Sequence, residues 1–332
     1  MTSILSQRRL SWRWWTALLL TAVCAAAIGY QQVARQSHAA DPEKPLRFIF
    51  ITPCVDEFFF NPVKQGMRDA AAMLGVKTEF IGTADVDIPA QVDMVRKAIA
   101  DGYDGIALNI IDPVAFDEVT QLARNKGIPL VAFNVDDHAT PNARLSAVCQ
   151  NLYQAGRNAG QAAAPSIRDR SKVLLTEHSA GISALDDRLR GIQEILKPKG
   201  VTWEVVITGV TAEASEQVIT EALKRHPEIK AVLCTGQADT EGAGLAVEKN
   251  FANRGYFVGG FDLSPQTLRL LKAGVIQFTI DQQPYAQGFY PVVQLTLFRR
   301  YGIKPASLDA GATILRPSDA DTVLELTRRG YR

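Results

Sequence analysis

Residues 101–134 read DGYDGIALNIIDPVAFDEVTQLARNKGIPLVAFN, and their order decides the fold class. Asp101-Gly102 turns the chain into the apolar run Gly105–Asn109 (GIALN), Asp112-Pro113 starts a helical stretch, and Pro129–Asn134 (PLVAFN) is a second apolar run. Such short continuous runs are strands buried on both faces, and strand, helix, strand is the repeating unit of a parallel sheet.

The rhythm extends in both directions. Upstream lie strands at Arg47–Thr52 (RFIFIT) and Lys77–Ile81, with one helix opened by a capping Asn61 before Pro62 and another over about 89–100. After Gln150-Asn151 the pattern restarts with strands at Lys172–Thr176, Trp203–Ile207, Ala231–Thr235, Tyr256–Phe261 and Ile276–Ile280. A final helix over about 285–300 and a Thr313–Leu315 strand follow. The sequence predicts an α/β protein of two doubly wound parallel-sheet domains, each of about 100 to 130 residues.

Ligands of open parallel sheets bind beyond the carboxyl ends of the strands. Those positions hold Asp56, Glu57, Phe59 and Phe60 after the first strand, Asn109 after the third, and Asn134 and Asp136 after the fourth. The second unit offers Asp186, Asp187 and Arg188, then Gln237 and Asp239, then Asp262, and finally Asp281, Gln282 and Gln283. Carboxylates and amides hydrogen-bond vicinal hydroxyls, and an aromatic face packs the C–H side of a sugar ring, so two such rims suit a polyol.

Composition excludes other classes. Arg8, Arg9, Arg13 and Arg35 precede residue 41 without any acid, leaving 32 basic against 35 acidic side chains beyond it and no basic footprint for nucleic acid. Those arginines flank an apolar run, Trp14–Ile28, and small residues at Ser37, Ala39 and Ala40. Residues 1–40 are therefore expected to be a cleaved export signal, with an uncleaved anchor as the alternative because the gap to Ala40 is long. A run of about 15 apolar residues is short for a membrane span. The bulky Val23 before Cys24 argues against lipidation. The three later cysteines, Cys54, Cys149 and Cys234, are widely spaced and are expected to be small buried residues. No helical histidine pair, Gly-x-Ser-x-Gly elbow or GxxxxGK[ST] loop occurs, so neither enzyme activity, metal nor cofactor is expected.

Several segments together resemble the periplasmic sugar-binding proteins of the ribose-binding type, the type I substrate-binding components of ABC transporters. They are Phe59-Phe60 ahead of Gly66, Asp101–Ile106 leading to Asn109, Gly127–Val131, Arg188 with Gly191, Gly259–Asp262 and Thr279–Pro284, spread over residues 45–316. The resemblance implies two lobes joined by three crossings: 45–150 with 283–305, and 151–282 with 306–316, leaving 317–332 as a C-terminal helix or tail. It implies a sugar or sugar alcohol captured in the cleft by hinge closure. Phe59 and Phe60 would pack the ring, Asn109 and Gln282 supply amides, and Asp262 accept hydroxyls. The family's Asp-Arg pair after the fourth strand is Asn134-Val135 here, a ligand-binding arginine is Asp186, an asparagine is Gly236 beside Gln237, and another is Glu57. Two charged donors are lost, which points away from ribose itself. The implied setting is the periplasm, the implied form a monomer, and the implied partner an inner-membrane ABC permease, or alternatively a sensor receptor or histidine kinase.

Overall fold

The computed structural model describes residues 44–112, 114–136 and 142–332, so the expected signal or anchor at 1–40 lies outside the described residues. Twelve strands are described: β1 Arg47–Thr52, β2 Lys77–Gly82, β3 Gly105–Leu108, β4 Leu130–Asn134, β5 Ser146–Cys149, β6 Lys172–Glu177, β7 Thr202–Ile207, β8 Ala231–Cys234, β9 Phe257–Phe261, β10 Phe278–Asp281, β11 Leu308–Asp309 and β12 Thr313–Leu315. They form two six-stranded sheets of the same design, ordered β2-β1-β3-β4-β5-β11 and β7-β6-β8-β9-β10-β12. All pairings are parallel except β10 with β12. In each sheet the order reverses beside the first strand of its unit, which opens a crevice at the carboxyl ends of the central strands. The central strands are buried throughout, as their continuous apolar runs require, whereas edge strands β2 and β7 are largely exposed or half-buried.

Ten α-helices cover these sheets: α1 Phe60–Leu74, α2 Ile88–Ala100, α3 Asp117–Asn125, α4 Leu152–Ala163, α5 Ser183–Leu196, α6 Ala212–Arg225, α7 Gln237–Asn250, α8 Pro265–Lys272, α9 Pro284–Tyr301 and α10 Ala320–Arg328. The chain passes between the sheets after Cys149, after Asp281 and between Asp309 and Thr313. Helix α9, although it follows β10 of the second sheet, packs on α1 and on β3 to β5 of the first.

Four local expectations differ from the structure. Strand β5 was not anticipated; its four residues (SAVC) are too few to show a pattern, yet all are buried. Strand β11 pairs with β5, so residues 308–309 join the first sheet and the third passage comes at 310–312, not at 305–306. Asn61 lies inside α1, whose N-cap is Phe59 without a side-chain bond. Asp112 does not start a helix directly: its Oδ1 accepts from the N–H groups of Val114 and Ala115, forming a turn that precedes α3.

Each sheet is backed by a helix pair that meets through glycines. A Cβ on Gly66 (α1) would stand 2.1 Å from the Tyr285 carbonyl oxygen, and one on Gly288 (α9) 1.9 Å from that of Val63. In the second unit, a Cβ on Gly156 (α4) would stand 2.1 Å from the Arg188 carbonyl, and one on Gly191 (α5) 2.3 Å from that of Tyr153. Backbone cannot yield as a flexible side chain would, so these crossings set how deeply α9 and α5 seat on their sheets. We expect Gly288→Ala to cost about 2 kcal/mol or more, read as a lowered urea midpoint at unchanged slope; an unchanged midpoint would show that the two helices separate freely.

Candidate functional site

The carboxyl ends of the two sheets face each other across a cavity enclosing about 540 Å³ of space not filled by atoms, mouth included. The first unit contributes the loop after β1 (Pro53, Cys54, Glu57, Phe59, Phe60), Asn109 after β3, and Asn134 at the end of β4. The second contributes His178 after β6, the face of α5 bearing Ala184, Leu185 and Arg188, Gly236 and Gln237 at the start of α7, Asp262 after β9 and Gln282 after β10. The backbone is bent to aim them: Cys54, Asn134 and Asp262 all adopt left-handed φ values, +50°, +63° and +69°. Non-glycine residues in that region cost of the order of 1–3 kcal/mol each and persist where the surroundings enforce them.

A hydrogen-bonded chain links the two units along the cavity wall. Asn109 Nδ2 donates to Thr52 Oγ1 (3.0 Å) and Asn134 Oδ1 (3.1 Å), while Asn134 Nδ2 donates to Gln287 Oε1 (3.1 Å) on α9. Gln287 Nε2 donates to the Gln282 carbonyl (2.8 Å), and Gln282 Nε2 to Asp262 Oδ1 (2.7 Å). Asp262 Oδ2 then faces Arg188 Nη1 at 4.0 Å. The fully buried Arg188 stacks over the Phe261 ring at 4.2 Å and donates to Gln150 Oε1 from Nε (3.1 Å) and Nη2 (2.8 Å) and to the Thr235 carbonyl from Nη1 (2.7 Å).

Burial dominates the electrostatics. It raises Asp262 to about 6 against the opposing pull of Arg188 and Gln282, and it lowers His178 to about 4, with Arg188 adding to the shift. Glu57 is raised to about 8, first by burial, with Asp262 and Asp239 adding repulsion and the Cys54 thiol opposing as a donor. Its Oε1 is buried without a hydrogen-bond partner, as is Asn109 Oδ1. Phe59 and Phe60 meet edge to face at 5.2 Å, and Phe60 continues onto Phe80.

Nine of the ten residues predicted as ligand contacts line this one cavity: Glu57, Phe59, Phe60, Asn109, Asn134, Arg188, Gln237, Asp262 and Gln282. Asp186 does not. It stands two residues before Arg188 on α5, about 200° around the helix, and is hydrogen-bonded beside Glu177, which burial and Asp186 raise to about 7. Two rim residues also serve other ends. Asp136 is ion-paired with Arg144 at 2.5 Å, and Asp239 caps α7, accepting from the N–H groups of Thr235 and Gly236 and from Thr176 Oγ1. Arg188 brings a guanidinium to the wall, as expected, although its N–H groups go to protein acceptors. His178 and Cys54 were missed as wall residues; both follow a strand end, the signal that found the others. The thiols of Cys54, Cys149 and Cys234 are free and buried, and burial pushes all three up. Among the described residues no three His, Cys, Asp or Glu side chains are grouped to hold a metal, and no helix is long and apolar enough to cross a membrane.

Two similar sheets that bring polar strand ends together around one small cavity, with three chain passages between them, define a hinged binding protein. The chain belongs to the periplasmic binding proteins, whose family description, "Periplasmic binding protein domain", matches residues 48–297. It is 31% identical over 305 residues to the xylose/arabinose-binding protein of Sulfolobus acidocaldarius, covering 86% of this chain and 75% of that one. It is 26% identical to the D-allose-binding periplasmic protein of Escherichia coli, over 68% of this chain and 76% of that one. Among solved structures, a carbohydrate transporter from Acidothermus cellulolyticus in complex with myo-inositol superposes with a TM-score of 0.78 at 26% identity, covering 87% of this chain and 100% of that one.

The raised carboxyl of Glu57 makes a stability prediction. A carboxyl whose pKa rises on folding costs nothing while it is protonated in both states; the cost grows from about pH 4.5 to about pH 8 and is constant above. Glu57→Gln removes it. The variant is therefore expected to exceed the parent in stability at pH 9 by a few kcal/mol, with a much smaller gain at pH 5, in urea titrations at the two pH values. Equal stability at pH 9 would mean that Glu57 ionises freely.

Proposed function

We propose that this protein is exported to the periplasm, captures a sugar or sugar alcohol between its two lobes and presents the closed form to an ABC importer in the inner membrane. The observation that carries this is the cavity wall: two aromatic rings and two buried acceptors without partners from the first unit, and a row of amides and carboxylates drawn from both. Vicinal hydroxyls supply the missing donors, and the Phe59 and Phe60 rings pack the apolar face of a sugar. The similar proteins named above bind xylose or arabinose, allose and myo-inositol, which supports the same chemical class here.

Capture works through differential binding. Contacts to Asn109 and Asn134 come from one lobe and those to Asp262 and Gln282 from the other side of the cavity, so only the closed arrangement satisfies a ligand's hydroxyls all round. A ligand then shifts the population toward closure by as much as it prefers that state. The reading is one of binding without catalysis: Asp262 is held by Gln282 and faces Arg188, and Asp239 is consumed as a helix cap, so neither is poised against a bond to be broken.

The test is a thermal-shift screen of pentoses, hexoses, deoxy sugars, linear polyols and inositols. A true ligand at 100 times its Kd stabilises the folded protein by about 2.7 kcal/mol and raises Tm accordingly. A selective hit is expected; no shift from any of these classes would overturn the reading. With the hit in hand, Asp262→Asn should weaken binding at least tenfold and lower Tm, because Arg188 loses its counter-charge, and Asp262→Ala should lower Tm further, because the Gln282 amide also loses its acceptor. Undiminished affinity in Asp262→Asn would move the hydroxyl-accepting role elsewhere.

A further inference from the structure

Glu57 is a carboxyl in the cavity wall whose chemistry the rest of the wall does not complete. It sits at the tip of the loop after β1, where its N–H donates to the Cys54 carbonyl and its own carbonyl accepts from Phe60. The Cys54 thiol bonds its carboxyl, while Oε1 is buried and without a partner. Every ionisable group facing it leaves it uncompensated. His178, 3.7 Å away after β6, is held neutral by burial and has Nδ1 against Ser179 Oγ. Asp262 after β9 and Asp239 on α7 repel it. Arg188 on α5, the one side chain of fixed positive charge lining the cavity among the described residues, faces Asp262 and directs its N–H groups to Gln150 and Thr235. Near it, Asn109 Oδ1 is a second buried acceptor without a donor, and the Gln237 amide donates to Glu241. With Glu57 ionised, the wall therefore has one carboxylate more than its cations balance.

We propose that the ligand of this cleft, taken as the sugar or polyol site argued above, carries one protonated amine, and that Glu57 receives it as a buried ion pair. A monosaccharide or cyclitol with an amino group in place of one hydroxyl has this chemistry. The ammonium supplies both the missing charge and the missing donors, and its remaining hydroxyls suit Asn109, Asn134 and Asp262. The same field excludes uronic and aldonic acids, which would bring a third carboxylate to Glu57 and Asp262. In the empty cavity near pH 7 burial keeps the Glu57 carboxyl largely protonated, since it is raised to about 8. Entry of an ammonium ionises it, so the carboxyl proton passes to bulk solvent as the ion pair forms, and uptake of the amine is coupled to proton release. A neutral polyol accepted by the same carboxyl releases none.

Calorimetric titration of matched pairs distinguishes the two: 2-amino-2-deoxy hexoses against the parent hexoses, and an amino-inositol against the inositol, at pH 7 in two buffers of different ionisation enthalpy. The expected result is at least a tenfold tighter binding of the amine in one pair, with a buffer-dependent enthalpy reporting release of most of one proton. Glu57→Gln should reduce that preference to under twofold, the amine losing more affinity than the neutral member. If each neutral member binds as tightly as its amine or more so, the amine is refuted and the sugar reading stands. A preference that persists in Glu57→Gln refutes Glu57 as its receptor. Absence of binding by both members of every pair refutes this inference, and the sugar reading then stands or falls on the pentose, deoxy-sugar and linear-polyol arms of the thermal-shift screen.

Discussion

A guanidinium buried at 3% exposure has to be held on every side, and the arrangement that holds Arg188 organises the interior of the molecule. A buried charge costs several kcal/mol unless it is paired and hydrogen-bonded. Here Asp262 supplies the counter-charge, Phe261 a ring face, Thr235 a carbonyl, and Gln150 an oxygen that takes two N–H groups at once. Gln150 begins the first passage between the sheets, and its own amide donates to the Gly311 carbonyl, on the third. Asp262 accepts from Gln282, on the second. One charge is thereby joined to all three hinge segments, so the cavity and the hinge form a single polar structure.

The repeated topology explains why the cavity lies where it does. Each unit reverses its strand order beside β1 or β6, and each places a non-glycine residue in the left-handed region at the end of its fourth strand, Asn134 after β4 and Asp262 after β9. An asparagine or aspartate tolerates that backbone better than a branched residue does, because its short polar side chain bonds locally. Both residues line the cavity. Glycine-lined helix crossings at Gly66/Gly288 and Gly156/Gly191 repeat the correspondence on the outer faces; the second of these abuts the Arg188 backbone and so helps fix the depth of the guanidinium.

Much of this was legible because burial writes itself into sequence. Ten of the twelve strands could be placed to within about two residues from continuous apolar runs, and the rule that ligands gather at strand ends found nine of the cavity's wall residues. The failures have definite causes. Strands β5 and β11 are too short for a pattern, and each is a strand by pairing with the edge of its neighbour, β5 on β4 and β11 on β5. Asp186 was expected at the cavity as the counterpart of the resembling family's ligand-binding arginine, whereas helical geometry turns residues two apart to opposite faces; Ala184 and Leu185, four and three positions from Arg188, are the ones that share its face. Membership of Gln287 and Gln150 in the polar network has no local signature at all, since their partners are set by tertiary packing 153 and 38 residues away in the chain.

The unfinished polar groups give the closed cavity its physical meaning. Glu57 Oε1 and Asn109 Oδ1 are shut away from water without partners, and each such group costs roughly 1–3 kcal/mol relative to being hydrated. That sum is of the order of the free-energy gap separating two conformations of a hinged protein. Closure over an empty cavity is thus opposed by the very groups that a ligand would satisfy. Opening restores water to them, and binding replaces that water with donors fixed in place. The strained turns at Cys54, Asn134 and Asp262 hold the acceptors in position beforehand, so a ligand does not have to order them. The wall is built to be incomplete, and its incompleteness is what makes closure conditional on what enters.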